Sequence, residues 1–141
     1  MTMKRLWCLL FFFAAMPAIA QVQVLRPIAV INAAPLAATV TSSAVHIMYL
    51  DNIGIQFVWT GTPTCTLNVL VSNQTAVGSN PPTPVSSSFT TLTLTGVTNP
   101  SGSSGTFWID LNQLGAEWIE AQYASCSGSG TLSAYLSAKK V

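Results

Sequence analysis

Charge is what this sequence most lacks. Its 141 residues hold five Lys and Arg and four Asp and Glu, so only 6% of the side chains are charged. A nucleic-acid surface needs clustered Lys and Arg, and an anionic membrane attracts the same side chains. We therefore expect neither partner. With so little mutual repulsion, we do expect self-association through a neutral exterior of Ser, Thr, Asn and Gln.

Groups that perform acid–base or metal chemistry are also scarce. His46 is the only histidine, and the nearest carboxylate in the sequence is Asp51. A nucleophilic triad needs a histidine beside a hydroxyl and a carboxylate, and a hard-cation site needs several clustered acids. The sequence shows neither pattern. We predict no enzyme, no metal site and no cofactor.

A pair of carboxylates is the one catalytic alternative. Asp110 together with Glu117 or Glu120 would supply the two acids of a glycosidase. Asp110 and Glu120 fall on the outward faces of predicted strands, where carboxylates are usually just solvated charges. We therefore favour a structural interpretation of these acids.

The one long apolar run lies within the first twenty residues. Lys4 and Arg5 precede the apolar residues 6–16, and residues 17–20 end in small side chains two apart. This pattern predicts a secretory signal peptide cleaved before Gln21. The run is shorter than the roughly 20 residues that span a bilayer, although an uncleaved anchor is the alternative. We expect export to the periplasm or the cell surface, with no membrane span after cleavage.

Two cysteines, Cys65 and Cys126, follow the predicted cleavage site. An even count in an exported chain favours one disulfide, and each cysteine lies beside turn residues at a predicted strand end. The bridge would close a loop of about 60 residues, for which chain entropy predicts about 4 kcal/mol of stabilisation. Two free thiols are the alternative.

The clearest strand covers residues 51–60. Its apolar side chains at Ile53, Ile55, Phe57 and Trp59 alternate with Gly54, Gln56 and Val58. Alternation with a period of two places the first set on one face of a strand. So heavy an apolar face requires a second layer to cover it.

The rest of the chain repeats this alternation between turn-forming stretches. Further strands are predicted at 45–50, 66–72, 89–95, 106–111, 118–125 and 131–138, with loops at 73–87 and 96–105. Seven to nine such strands are typical of an all-β antiparallel β-sandwich or jelly roll. We divide the chain into a signal peptide (1–20), an N-terminal arm or leading strands (21–44) and the β-sandwich domain (45–141). An arm could pair with a neighbouring copy.

Three aromatic residues are candidate contacts for a ligand or a partner. Trp108 is opposite in phase to Phe107 and Ile109, and Trp118 and Tyr135 alternate with predicted core residues. An exposed tryptophan can stack on a sugar ring or anchor a protein contact. The alternative for Trp108 is that it covers a second buried face of its sheet.

Several segments resemble small β-sandwich proteins of the phage virion and tail-fibre type and secreted bacterial relatives. The similar segments are residues 50–63, 67–73, 109–114 with 118–119, and 128–140. The resemblance implies a sandwich fold and assigns no functional residues. The predicted signal peptide and the two cysteines depart from a virion protein and favour an exported bacterial protein.

These observations favour a non-enzymatic structural or adhesion protein, a subunit of a surface fibre or another oligomeric assembly. The features that favour this are the low charge, the hydroxyl-rich exterior and the resemblance. The alternative is a carbohydrate-binding module that uses exposed aromatic side chains. The expected partners are therefore copies of the chain itself, and a glycan or a cell-surface receptor.

Overall fold

The fold is a sandwich of two antiparallel sheets, seen in a computed structural model that describes residues 24–140. Nine strands and a single 3-10 turn (Ser86–Ser88) make up the regular structure of these residues. This confirms the predicted all-β sandwich. The predicted signal peptide lies outside the described residues.

Sheet A consists of β1 (Val24–Pro35), β4 (Asn52–Trp59), β7 (Gly105–Asn112) and β9 (Thr131–Lys139). Its strand order is β1-β9-β4-β7. Sheet B consists of β2 (Thr39–Thr41), β3 (Val45–His46), β5 (Thr64–Ser72), β6 (Thr90–Thr91) and β8 (Trp118–Ser127). Its strand order is β2-β8-β5-β6, with β3 also paired to β8.

The core lies between the two sheets and follows the predicted alternation. The inward residues of β4, β8 and β9 are fully or almost fully buried, among them Ile53, Ile55, Phe57, Ile119, Ala121, Leu132, Ala134 and Leu136. Trp59 is also buried, and its Nε1–H donates to the carbonyl of Ser103 at 2.8 Å. Since side chains of a strand alternate between faces, the same pattern fixes which residues face outward.

Tyr123 ties the two sheets together across this core. Its ring packs edge-on against Phe57, with 5.2 Å between the ring centroids. Its hydroxyl lies between the carbonyls of Val58 at 3.1 Å and Ser133 at 2.7 Å, both in sheet A. Burial raises the pKa of Tyr123, so the phenol stays protonated as a hydrogen-bond donor.

The first strand, β1, belongs to sheet A of the same chain. β1 pairs along its length with β9, with register shifts between Leu25 and Ile28, between Ala29 and Ile31, and between Ile31 and Ala34. β1 runs through Arg26 and Pro27, because an edge strand with such register shifts can accommodate a proline. In this fold, 24–35 and 39–41 lie in the sandwich as leading strands.

Two predicted strands are shorter than their sequence patterns suggested. β3 ends at His46, and a turn follows in which the N–H of Leu50 donates to the carbonyl of Ile47 at 2.9 Å. Tyr49 in this turn has a φ of 71° and points to solvent. The predicted strand at 89–95 contributes only β6, because the chain pairs with β5 for just two residues.

The predicted disulfide is present. Cys65 on β5 and Cys126 on β8 are bonded, and their Cα atoms are 4.2 Å apart. The two strands are neighbours in sheet B, and their register is irregular between Thr64 and Thr66. The bridge therefore links two adjacent strands across a loop that spans 61 positions of sequence.

Candidate binding site

Trp108 lies on the outer face of sheet A. It sits in the middle of β7, where Ile109 faces the core and Trp108 points the other way. Its side chain is 53% exposed. The alternative that Trp108 covers a second buried face is therefore wrong, and the exposed-platform interpretation fits the structure.

Trp108 belongs to a row of side chains that crosses the sheet. Gln56 on β4 pairs with Trp108 on one side and with Tyr135 of β9 on the other. Tyr135 is 37% exposed, and Ala29 of β1 continues the row. Two of the three predicted aromatic contacts thus share one face and one row, with an amide between them.

Gly54 leaves room for the indole on this face. A Cβ on Gly54 would lie 2.7 Å from Cη2 of Trp108 and closer still to Cζ2, and 3.2 Å from Oγ of Ser137. A Cβ atom does not tolerate another heavy atom under 3.0 Å away, so a side chain at this position would displace the indole. The indole therefore lies against bare β4 backbone, the close approach that a glycine within a strand often marks.

A shallow groove opens beside the indole. The Trp108 groove has a volume of about 290 Å³ and is lined by Val24, Asn52, Gly54, Trp108, Asp110, Ser137, Ala138 and Lys139. Its polar groups are a carboxylate, an amide, a hydroxyl and an ammonium, so it presents hydrogen-bond donors and acceptors beside an aromatic surface. Such a combination suits a ligand with one apolar face and several hydroxyls.

Most of this groove could not be found from the sequence. Trp108 and Tyr135 were predicted contacts, but Asn52, Ser137 and Lys139 come from two other strands and meet Asp110 only through the register of sheet A. A glycine at an outward position of the strongest strand was the one local signal of close approach.

Trp118, the third predicted contact, is not exposed. Only 4% of its surface is accessible, because it packs against His46 with 4.6 Å between the ring centroids. Its Nε1–H donates to Oγ1 of Thr75 at 2.9 Å. This burial removes Trp118 from the candidate contacts and gives it the role of holding the loop after β5 against sheet B.

His46 belongs to the same structural network. Its Nε2 lies 3.4 Å from Oε1 of Glu117, and that carboxylate oxygen also accepts a hydrogen bond from Thr75. Thr75 thus connects Trp118 to Glu117, and Glu117 connects to His46. These contacts fix the start of β8 and the loop that crosses it.

The predicted pair of Asp110 with Glu120 does not fit the sandwich. Asp110 lies on the outer face of sheet A, whereas Glu120 is at an outward position of β8 in sheet B. Packed sheets are about 10 Å apart, so acids on opposite outer faces cannot flank one glycosidic bond. Burial raises the pKa of Glu120 through desolvation of its carboxylate.

Among residues 24–140, no cluster of three or more His, Cys, Asp or Glu side chains could hold a metal ion. The same residues contain no helix that could span a bilayer. Comparisons of the chain with models of protein families, with curated proteins and with solved structures find no match. The chemistry of the Trp108 groove therefore carries the functional proposal.

Proposed function

We propose that the protein is an exported, non-enzymatic adhesion module that binds glycans in the Trp108 groove. The observation that carries this proposal is the exposed indole of Trp108, seated on Gly54 beside a carboxylate, an amide and a hydroxyl. An indole held against backbone is pre-oriented, so little conformational entropy is lost when a ligand stacks on it.

A sugar ring matches both halves of this surface. The C–H face of a pyranose is apolar and can lie on an indole, while its hydroxyls both donate and accept hydrogen bonds. Asp110 accepts only, Lys139 donates only, and the amide of Asn52 does both. Tyr135 and Gln56, in the same row as Trp108, extend the surface across the sheet for a further sugar unit.

The shape of the groove limits the affinity. It is open to solvent and has a volume of about 290 Å³, at the small end of the range for ligand pockets. We expect a dissociation constant in the high micromolar to millimolar range for one saccharide, on the order of 4–6 kcal/mol of binding free energy. Adhesion at such an affinity requires several copies that bind together.

A glycan array followed by titration tests the proposal. The wild-type protein should bind a defined subset of glycans, and Trp108→Ala should weaken that binding by about tenfold or more, because stacking is lost. Tyr49→Ala is the matched control, since Tyr49 is also an exposed aromatic but lies in the turn after β3. No binding by the wild type, or binding that Trp108→Ala leaves unchanged, would refute the proposal.

A structural subunit of a homo-oligomeric assembly is the second candidate. The observation that favours it is the edge strand β7, which presents eight regularly paired residues without a proline, a lysine or an arginine. Self-association and glycan binding are compatible, because several linked copies would supply the multivalency that a shallow groove needs.

A further inference from the structure

The outer edge of β7 is an open row of backbone hydrogen-bonding groups. β7 pairs with β4 on one side and is the last strand of sheet A on the other. Apart from that ladder, no backbone–backbone hydrogen bond among the described residues involves 105–112. An edge strand with unpaired N–H and C=O groups is a template for pairing with another chain.

The other sheet edges are protected in ways that β7 is not. β1 carries Arg26, Pro27 and three register shifts, each of which discourages edge-to-edge pairing. In sheet B, β2, β3 and β6 have only two or three residues each. β7 pairs with β4 over eight consecutive residues without a shift, so it is the long, regular edge of the sandwich.

We propose that β7 pairs antiparallel with β7 of a second copy, so that two sheets A become one continuous eight-stranded sheet. A twofold axis perpendicular to the sheet relates the two copies, and the same edge serves both sides of the contact.

Two backbone carbonyls of β4 show which β7 residues point outward. The carbonyl of Phe57 accepts from Oγ1 of Thr106 at 2.8 Å and so faces β7, whereas the carbonyl of Val58 shares the Tyr123 hydroxyl with Ser133 and so faces β9. Phe57 therefore forms a hydrogen-bonded pair with Phe107. By alternation, the N–H and C=O groups of residues 106, 108, 110 and 112 point away from β4.

A register centred on Ile109 uses all four of these residues. It places Trp108 opposite Asp110 of the second copy, and Phe107 opposite Leu111 of the second copy. Apolar side chains then meet on the core face, and no carboxylate faces its own copy, which avoids the repulsion of like charges in opposed positions. The single carboxylate of this edge thus lies opposite an indole of the second copy.

A cleft at the same edge supplies apolar area to the contact. The gap between β7 and residues 92–97 has a volume of about 340 Å³, and Leu92, Leu94, Val97 and Phe107 line it. These four residues are only partly buried against the core. A second copy at the β7 edge would bring its own cleft against this one, so backbone pairing and apolar burial would occur together.

The pairing also has a consequence that rests on the proposed glycan function. A perpendicular twofold axis keeps the outer faces of both sheets on the same side, so the two Trp108 grooves would lie side by side on one platform. A branched or repeating glycan could then engage both grooves, and its apparent affinity would rise without any new contact to a single copy.

Sedimentation velocity of the mature protein, without any glycan, tests the pairing. We expect a dimer whose population grows with concentration. Hydrogen exchange at matched concentrations should show slower exchange in β7 as the dimer forms, with β1 unchanged. A monomer at every concentration, or a dimer that protects a different element, would overturn the proposal.

A proline at an outward position gives the sharper comparison. Asp110→Pro removes an N–H that points away from β4 and should raise the dissociation constant of the dimer at least tenfold, whereas Asp110→Ala keeps the N–H and should retain the dimer. Near-ultraviolet circular dichroism checks that both variants are folded. Equal dimerisation of the two variants would contradict the pairing. So would β7 protection that arises only when an unrelated extended peptide is added, because β7 would then be a peptide-binding edge.

These measurements separate the two proposals. Dimerisation through β7 is measured without ligand, so a failed glycan array leaves it standing. A monomeric protein whose glycan binding depends on Trp108 would remove the β7 pairing and leave the proposed function intact.

Discussion

Replacing Gly54 with alanine tests whether the indole of Trp108 depends on the bare backbone beneath it. The new methyl group would lie 2.7 Å from Cη2 of Trp108 and 3.2 Å from Oγ of Ser137. Gly54 sits in β4 between two paired strands, so the backbone cannot yield, whereas a side chain at the surface can. We expect the indole to leave its place on the sheet while the sandwich stays folded.

The exposed fraction of the indole gives the loss of unfolding free energy that Gly54→Ala should cause. Trp108 is 53% exposed, so roughly half of the side chain is buried. Since a tryptophan buries roughly 150–250 Å² in full, the contact is on the order of 100 Å², or about 2.5 kcal/mol. Because alanine loses less backbone entropy on folding than glycine, the substitution itself stabilises a strand by about 0.5–1 kcal/mol. The net loss is about 1.5–2 kcal/mol, which lowers Tm by roughly 5–10 °C.

Collisional quenching of tryptophan fluorescence reports the displacement directly. Trp59 and Trp118 are buried, so Trp108 accounts for the quenchable emission of residues 24–140. Gly54→Ala should therefore increase quenching and weaken glycan binding. Gly115→Ala is the control, because an added Cβ at Gly115 meets nothing within 4 Å. Unchanged quenching, Tm and glycan binding in Gly54→Ala would show that the indole does not depend on the bare backbone at Gly54.

Three further predictions concern stability. Tyr123→Phe removes the hydroxyl that bridges two carbonyls of sheet A and should cost about 1–2 kcal/mol in chemical denaturation; no loss would mean that the bridge contributes nothing. Burial raises the pKa of Glu120 above its ordinary value of 4.5. Above the raised pKa the ionised carboxylate therefore destabilises the fold, and this destabilisation disappears once the pH falls below the pKa of Glu120 in the unfolded chain. Glu120→Gln should therefore raise Tm at pH 7 but not at about pH 3, and an equal gain at both values would contradict that cause. Replacing Cys65 and Cys126 together with alanine opens a link between residues 61 positions apart and should cost about 4 kcal/mol; a change under about 1 kcal/mol would show that the link matters little.

The period-two pattern predicted the sandwich because burial of one face per strand dominates its stability. Ile53, Ile55 and Phe57 were assigned to one apolar face by alternation, and all three are fully buried. Alternation predicted a strand over residues 45–50, but β3 ends at His46 and Tyr49 lies in the turn that follows. Alternation predicts which face of a strand a residue lies on. It does not predict where the strand ends, because that depends on whether a neighbouring strand is there to pair with.

The candidate site was predictable only in part, because the pairing register of β4 with β7 and β9 determines which of its residues are neighbours. Trp108 and Tyr135 could be assigned to an outer face from their phase within their own strands. Their placement in one row on either side of Gln56 requires the pairing of three strands that are distant in sequence. For Trp118 the phase within the strand predicted exposure, and the prediction was wrong. Trp118 has the phase of an outward residue, yet a loop and His46 cover it.

The most direct test of a glycan site on sheet A is an amide chemical-shift titration of the ¹⁵N-labelled mature protein with the best glycan from the array. Binding in the Trp108 groove predicts shifts concentrated at Gly54, Trp108, Asp110 and Ser137, with saturation in the high micromolar to millimolar range. It also predicts that Trp108→Ala removes them. Shifts that cluster instead on sheet B or on the turn at Tyr49, or no saturable shifts, would contradict a glycan site on the outer face of sheet A.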